Sequence, residues 1–299
     1  MYRTLVIVRH TFREAVVQPI YTLLLALASG VLIVFGVLPF FTLGDDTVMF
    51  KSVGLDIVLL FVLISTLFAT SKSIYDEIED RTMLTLMSKP VKKWEVLVGK
   101  YLGIVLAAGL AVLILGVTLL LSTWWRIPND YFLSTNTLDD RVIKQVSDLR
   151  WMHVTGLVPS LVLVWLQVAV LAAIGVALST RFSLVVNLPA VLLLYIAGNL
   201  TRFLPLQHES GAVQAVAQLI ATVMPFLRVF DFRETAVYRE LAVPGTEYAD
   251  PAAHPHAVGL GFVAAYLGIA FLYAVSYAGV ALGSGLLIFQ RRELGGAEG

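Results

Sequence analysis

Residues 71–100 read SKSIYDEIEDRTMLTLMSKPVKKWEVLVGK, a polar stretch set between two long apolar runs. Asp76, Glu77, Glu79 and Asp80 make its first half acidic, Lys89, Lys92, Lys93 and Lys100 make its second half basic, and Leu84, Leu86 and Met87 lie between them. A plain connection between helices has no need of that order. The flanking runs, 53–71 and 101–124, have the length that a helix rising about 1.5 Å per residue needs to cross a hydrocarbon core of about 30 Å. The stretch therefore reads as the polar end of two membrane-spanning helices.

The rest of the chain repeats the pattern. Of its 299 residues 58% are hydrophobic and 14% charged, with a mean hydropathy of +0.84, against roughly 25% charged residues in a soluble domain. Further apolar windows at 19–43, 154–180, 182–204 and 258–290 bring the predicted spans to six. A run such as VLLLYIAG (191–198) lacks the alternation of a barrel strand, so the spans are helical and the fold class is all-α. The last window is longer than a bilayer requires, which predicts tilt, a kink or projection beyond it.

Basic residues set the orientation. With the amino terminus inside, Arg3, Arg9, Arg13, Lys72, Arg81, Lys89, Lys92, Lys93, Lys100, Arg181, Arg291 and Arg292 fall on the cytoplasmic side, mostly in short segments. Six spans return the carboxyl terminus to that side, giving a multi-pass protein of the cytoplasmic membrane with both termini cytoplasmic. Residues 1–299 then form one transmembrane domain, with a cytoplasmic loop at 72–100 and an extracytoplasmic loop at 205–257. Leu5, Val8, Phe12 and Ala15 recur at helical spacing opposite Arg9, Arg13 and Glu14, which predicts an interfacial helix over 1–18. Residues 213–230 (VQAVAQLIATVMPFLRVF) are apolar but contain Pro225, and read as a short helix dipping into the outer leaflet; a complete extra span is the alternative.

Within residues 71–100, Glu77 and Arg81 have the favourable spacing of a helical ion pair, and an acidic cluster suits a helix start. Pro90 ends one helix and can begin another. Lys92, Lys93 and Lys100 are placed to face anionic head groups of the membrane lipid. Gly99 and Gly103, four residues apart, let the third span begin close against a neighbour, and Gly279 and Gly283, with Gly285, make a second small-residue face for helix packing or dimerisation.

The string EIEDRTMLTLMSKPVKKWEVLVGKYLG resembles the first cytoplasmic loop of permease subunits in the ABC-2-type transporter family, with its acidic residue, Arg/Thr-containing stretch, proline-centred turn and Gly-Lys start to the third helix. The six-span layout, the amino-terminal helix and the MPFLRVFDF stretch of the outer loop extend the likeness. The resemblance implies a permease that dimerises with a second copy or homologue. It also implies a separate ATP-binding cassette subunit, carrying ATP and magnesium, that docks on the first loop. It assigns Glu77, Glu79, Arg81, Thr82, Lys89, Pro90 and Lys100 to the ATPase-coupling loop. Leu84, Leu86 and Met87 would fill a groove on that partner while the charges set the register. A solvated juxtamembrane loop remains the alternative for the same residues.

No chemistry of the chain's own is indicated. The single Gly-Lys pair, Gly99-Lys100, is followed by Tyr101 and has Trp94 where a phosphate-binding loop needs its first glycine. There are no cysteines, no H-E-x-x-H, and a net charge of zero that offers nucleic acid no footprint. Asp250, His254 and His256 lie in a proline-broken loop that does not promise a metal site. In the spans, Asp56, Gln167, Asn187 and Asn199 are candidates for lining a path, with Asp56 the main intramembrane carboxylate. Interfacial solvation of Asp56 and interhelical bonding of the amides are the alternatives. The chain thus reads as the permease subunit of an ATP-driven exporter and not as an enzyme; a secondary transporter or a membrane scaffold or enzyme is the rival reading.

Overall fold

A computed structural model describes residues 2–38, 46–80, 92–130, 140–200, 224–233, 237, 241–246, 249–250, 254 and 257–291. Its described elements are helical apart from one isolated bridge between Leu241 and Val258. We number the helices α1 (Tyr2–Val17), α2 (Pro19–Val37), α3 (Asp46–Glu79), α4 (Lys93–Asp130), α5 (Asp140–Ser179), α6 (Leu184–Leu200) and α7 (Leu260–Arg291). Five of them, α2, α3, α4, α5 and α7, contain stretches long and apolar enough to cross a membrane. The fifth predicted span, 182–204, is the exception. Its apolar helix, Leu184–Asn199, is shorter than those five, and residues 201–223 lie outside the described set.

Helix α4 is the hub. It packs against α1, α2, α3 and α5, while α7 lies mainly along α5. Aromatic side chains tie the hub to backbone carbonyls across helices: Tyr21 Oη donates to Ala107 O at 2.9 Å, Tyr101 Oη to Ala169 O at 3.2 Å, and Trp165 Nε1 to Val105 O at 3.0 Å. Away from water such bonds keep a polar atom satisfied while fixing the height of one helix against the next.

Helices α3 and α5 begin earlier than hydropathy predicts, for one reason. Before residue 53, α3 buries Thr47, Phe50 and Lys51, and before residue 154, α5 buries Val146, Leu149 and His153. Both sets keep helical spacing, but the charges among them lower the mean hydropathy. Lys51 is the clearest case. It is 2% exposed, its Nζ lies 2.9 Å from His153 Nδ1, and it donates to Val237 O at 3.0 Å, joining α3, α5 and the segment between α6 and α7.

At the same end Arg126 is 4% exposed and donates to Phe35 O at 3.0 Å and Leu38 O at 2.8 Å. A cation here satisfies carbonyls that the end of α2 leaves open and suits its dipole. Asp46, in the first turn of α3, accepts from the same guanidinium at 3.4 Å. One arginine of the predicted outer loop thereby fastens three helix ends.

The predicted amphipathic face of α1 is turned by part of a helical step. Thr11 and Ala15 are buried, Val8 and Phe12 half-buried, and Leu5 is 66% exposed. Of residues 213–230, the described part, 224–230, includes a tight turn over Leu227–Phe230 that packs on α5 and α6 and is hydrogen-bonded to α7, where Tyr273 Oη accepts from Phe226 N at 2.7 Å and Tyr266 Oη donates to Val229 O at 2.9 Å.

Candidate functional site

The carboxyl end of α3 differs from its prediction in one respect. No new helix starts at the acidic cluster. The helix runs on from Asp46 through a wide turn at Ser71–Asp76 and a last turn at Glu77–Glu79, so the acids sit at its carboxyl end, where the dipole disfavours them. The compensation comes from Lys100. Its ammonium donates to Ser73 O, to Ser73 Oγ at 3.1 Å, and pairs with Glu77 Oε1 at 2.7 Å. Three acceptors match its three N–H donors, and the side chain is 3% exposed.

Lys100 therefore does not face lipid head groups. Neither does Lys93, which donates to Phe289 O at 3.4 Å and lies 5.2 Å over the Phe289 ring, tying α4 to the end of α7. Lys92 alone of the three is exposed. It precedes α4, and its backbone N–H is held at 3.0 Å by Glu95 Oε2, half of a capping box. Glu77 is half-buried and Glu79 exposed on the last turn of α3. Arg81, Thr82, Leu84, Leu86, Met87, Lys89 and Pro90 lie outside the described residues.

Gly99 and Gly103 sit under α1. A Cβ on Gly99 would lie 2.9 Å from Ile7 Cγ2, and one on Gly103 2.7 Å from Val8 O, 2.8 Å from Thr11 Cβ and 3.0 Å from Phe12 N. Gly279 and Gly283 are different: a Cβ there meets nothing within 4 Å. Within this chain α7 closes on α5 through Gly285 instead, where an added Cβ would lie 2.8 Å from Ala177 Cα.

Three of the four path candidates converge. A cavity of about 200 Å³ is lined by Asp56 of α3, Ser160 and Gln167 of α5, Tyr195 and Asn199 of α6, and Arg233 of the segment between α6 and α7, among others. Ser160, Val164 and Gln167 fall on one face of α5 at helical spacing. Asn199 uses its Nδ2 on Tyr195 O at 2.9 Å, whereas Ser160 Oγ is buried without a hydrogen-bond partner. Asn187 lies elsewhere. Its Nδ2 binds Ser179 Oγ at 2.7 Å and Gly175 O at 3.2 Å, joining α6 to α5.

Solvation is not the main partner of Asp56. Arg233 grips it with two parallel bonds, Nη1 to Oδ2 at 2.9 Å and Nη2 to Oδ1. Asp231 adds a carboxylate 3.7 Å from Arg233 Nε. Burial opposes the guanidinium charge, but the bonds and charges of Asp56, with Asp231, outweigh it and raise its pKa above the ordinary arginine value. Both members of the pair line the cavity. Asp56→Asn should leave Arg233 with one fixed acceptor and cost about 1–2 kcal/mol of stability, since Asp56 is half-exposed. The exchange Asp56→Arg with Arg233→Asp should recover most of that loss in thermal unfolding; no recovery would mean that the pair is incidental.

Asp250 and His254 share a backbone turn, His254 N donating to Asp250 O at 2.9 Å, and His256 lies outside the described residues. Among the described residues no group of three His, Asp or Glu gathers to hold a metal. Lys51, Arg126 and Arg233 are the functional-looking residues that hydropathy passes over. Helical register carried across charged residues would have found the first; nothing local signals the other two.

The sequence model of the ABC-2 family transporter protein matches residues 40–294. No curated protein matches the chain.

Proposed function

The chain belongs to the ABC-2 transporter family, and on that premise we propose that it is the membrane subunit of an exporter driven by ATP hydrolysed on a separate subunit. ATP and magnesium bind that partner, and this chain supplies the path and the grip. Residues 77–100 are the docking region, at the cytoplasmic face of the cytoplasmic membrane, with both termini on that side. The subunit works as a dimer with a second copy or a homologue.

One observation carries the reading. The buried ammonium of Lys100 joins the last turns of α3 to the first turns of α4, so the two limbs that flank residues 81–91 share a stiff base. A push on that segment then reaches α3 and α4 together. A loop that only connected two helices would gain nothing from a saturated, buried cation beneath it, because burying a charge costs several kcal/mol before its partners compensate.

Isolation in mild detergent tests this. An ATP-binding cassette subunit should co-isolate, with ATPase activity that requires this chain, and Glu79→Ala or Arg81→Ala should lower that activity several-fold without loss of the membrane bundle. Unchanged assembly and coupling in both variants would count against docking here. A gradient-driven carrier is the second reading, favoured by the polar cavity at Asp56; uptake by this chain alone, without ATP, would establish it.

A further inference from the structure

The cavity at Asp56 carries more charge than its ion pair uses. Its charged lining groups are Asp56, Asp231 and Arg233, so one carboxylate is in excess. Asp56 takes both Nη groups of Arg233, which leaves Asp231 as the unbalanced one. Asp231 Oδ1 accepts from Arg233 N at 3.3 Å and stands 3.7 Å from its Nε, while Oδ2 receives no hydrogen bond among the described residues.

Gln167 supplies a second, independent sign. It is 6% exposed and lines the same cavity, and its amide makes no hydrogen bond to any described residue. Unlike Ser160 Oγ, which is sealed from every surface, that amide keeps accessible surface, and the surface is the cavity's. Tyr195 Oη, also on the lining, is likewise unbonded among the described residues. A buried amide left bare is costly, so it points to a guest that brings a hydrogen-bonding group of its own. Asp231 is half-exposed, so a guest reaches it from outside the bundle, whereas Gln167 lies within.

Charge and size narrow the guest. An anion would meet an unneutralised Asp231. A bare metal ion would want about six oxygen ligands, and among the described residues no group of three His, Asp or Glu gathers. Water would satisfy the amide but leave the extra carboxylate unbalanced beside Phe230 and Phe232, rings of the kind that a cation favours. About 200 Å³ is the space of roughly seven water molecules, so the guest is small.

We propose that this cavity binds a small amino alcohol in its ammonium form, with the ammonium on Asp231 Oδ2 and the hydroxyl on the Gln167 amide and Tyr195 Oη. The Asp56–Arg233 pair holds in place the segment that carries Asp231. The site goes beyond the ATP-driven reading and does not depend on it, because every group that it uses belongs to this chain.

Isothermal titration calorimetry of the purified full-length chain in detergent, at neutral pH and with no partner subunit, tests it. Propanolamine should bind one to one. Propanediol, which lacks the charge, should bind about tenfold more weakly, and propylamine, which lacks the hydroxyl, about fivefold more weakly. Asp231→Asn should weaken propanolamine about tenfold, and Gln167→Leu should weaken it about fivefold while leaving propylamine unchanged. A misfolded variant would lose both amines alike. Asp231 is at the surface, so Asp231→Asn stays informative if Gln167→Leu does not fold, and Ser276→Ala, on the exposed face of α7, should change nothing. The absence of saturable binding, propanediol binding as tightly as propanolamine, or indifference of propanolamine to Asp231→Asn would each overturn the proposal.

Discussion

Lys100→Met is expected to abolish most of the ATPase stimulation of the assembled complex and to destabilise the isolated chain by about 3 kcal/mol. The stability loss has a defined origin. Removing the ammonium leaves Ser73 O, Ser73 Oγ and Glu77 Oε1 facing an apolar side chain, and breaking a buried pair by deleting one partner costs about 3–5 kcal/mol. Glu77 keeps a quarter of its side-chain surface exposed, which lowers the figure. Glu77→Gln should cost less, because the amide oxygen still accepts from Lys100.

The double variant is the sharper test. If the ion pair is the unit, Lys100→Met with Glu77→Gln should be more stable than the sum of the two single losses predicts, by about 1 kcal/mol or more. Simple additivity in thermal unfolding would mean that Lys100 acts only through Ser73. The functional loss should remain in the double variant either way, since α3 and α4 are no longer joined below residues 81–91.

Gly103→Val is expected to lift α1 from the bundle. The atoms that an added Cβ would strike are Val8 O at 2.7 Å, Thr11 Cβ at 2.8 Å and Phe12 N at 3.0 Å. Two of the three are backbone, which cannot rotate away as a side-chain end does. Overpacking of this kind costs about 1–3 kcal/mol, and more when a whole helix must move. Arg9 and Arg13 are exposed on α1, and trypsin cleavage after them should accelerate about tenfold or more in Gly103→Val, as a loss of roughly 1.4 kcal/mol of closure would give. Gly279→Val, where nothing lies within 4 Å, should leave cleavage unchanged. Equal cleavage in wild type and Gly103→Val would show that α1 does not depend on this contact.

Composition suffices to read a membrane protein, and apolar runs without alternation make it all-helical, because only helices and closed barrels satisfy their backbone in lipid. The family, too, is legible, in the string around Pro90. Helix ends are less so. Asp46 and Asp140 begin helices whose first turns carry charges, and a hydropathy window averages those charges against the buried residues beside them. The acidic cluster at 76–80 misleads in a different way: helix dipoles favour acids at a start, but Lys100 makes the same acids tolerable at an end.

The cavity at Asp56 shows where local reading stops. Gln167 and Asn199 are visible as polar residues in apolar runs, and Asp56 as an intramembrane carboxylate. Their convergence depends on how α3, α5 and α6 pack, and Arg233, the partner of Asp56, lies 177 residues away in the chain.

Photocrosslinking tests the central claim most directly. With a photoreactive residue at Leu84 in the full-length chain, co-expressed with the ATP-binding cassette subunit that co-isolates with it, the account predicts a crosslink to that subunit whose yield changes when ATP is bound. The same probe at Phe262, at the outer end of α7, should give none. A complex that co-isolates and hydrolyses ATP, yet crosslinks from Phe262 and not from Leu84, would contradict it.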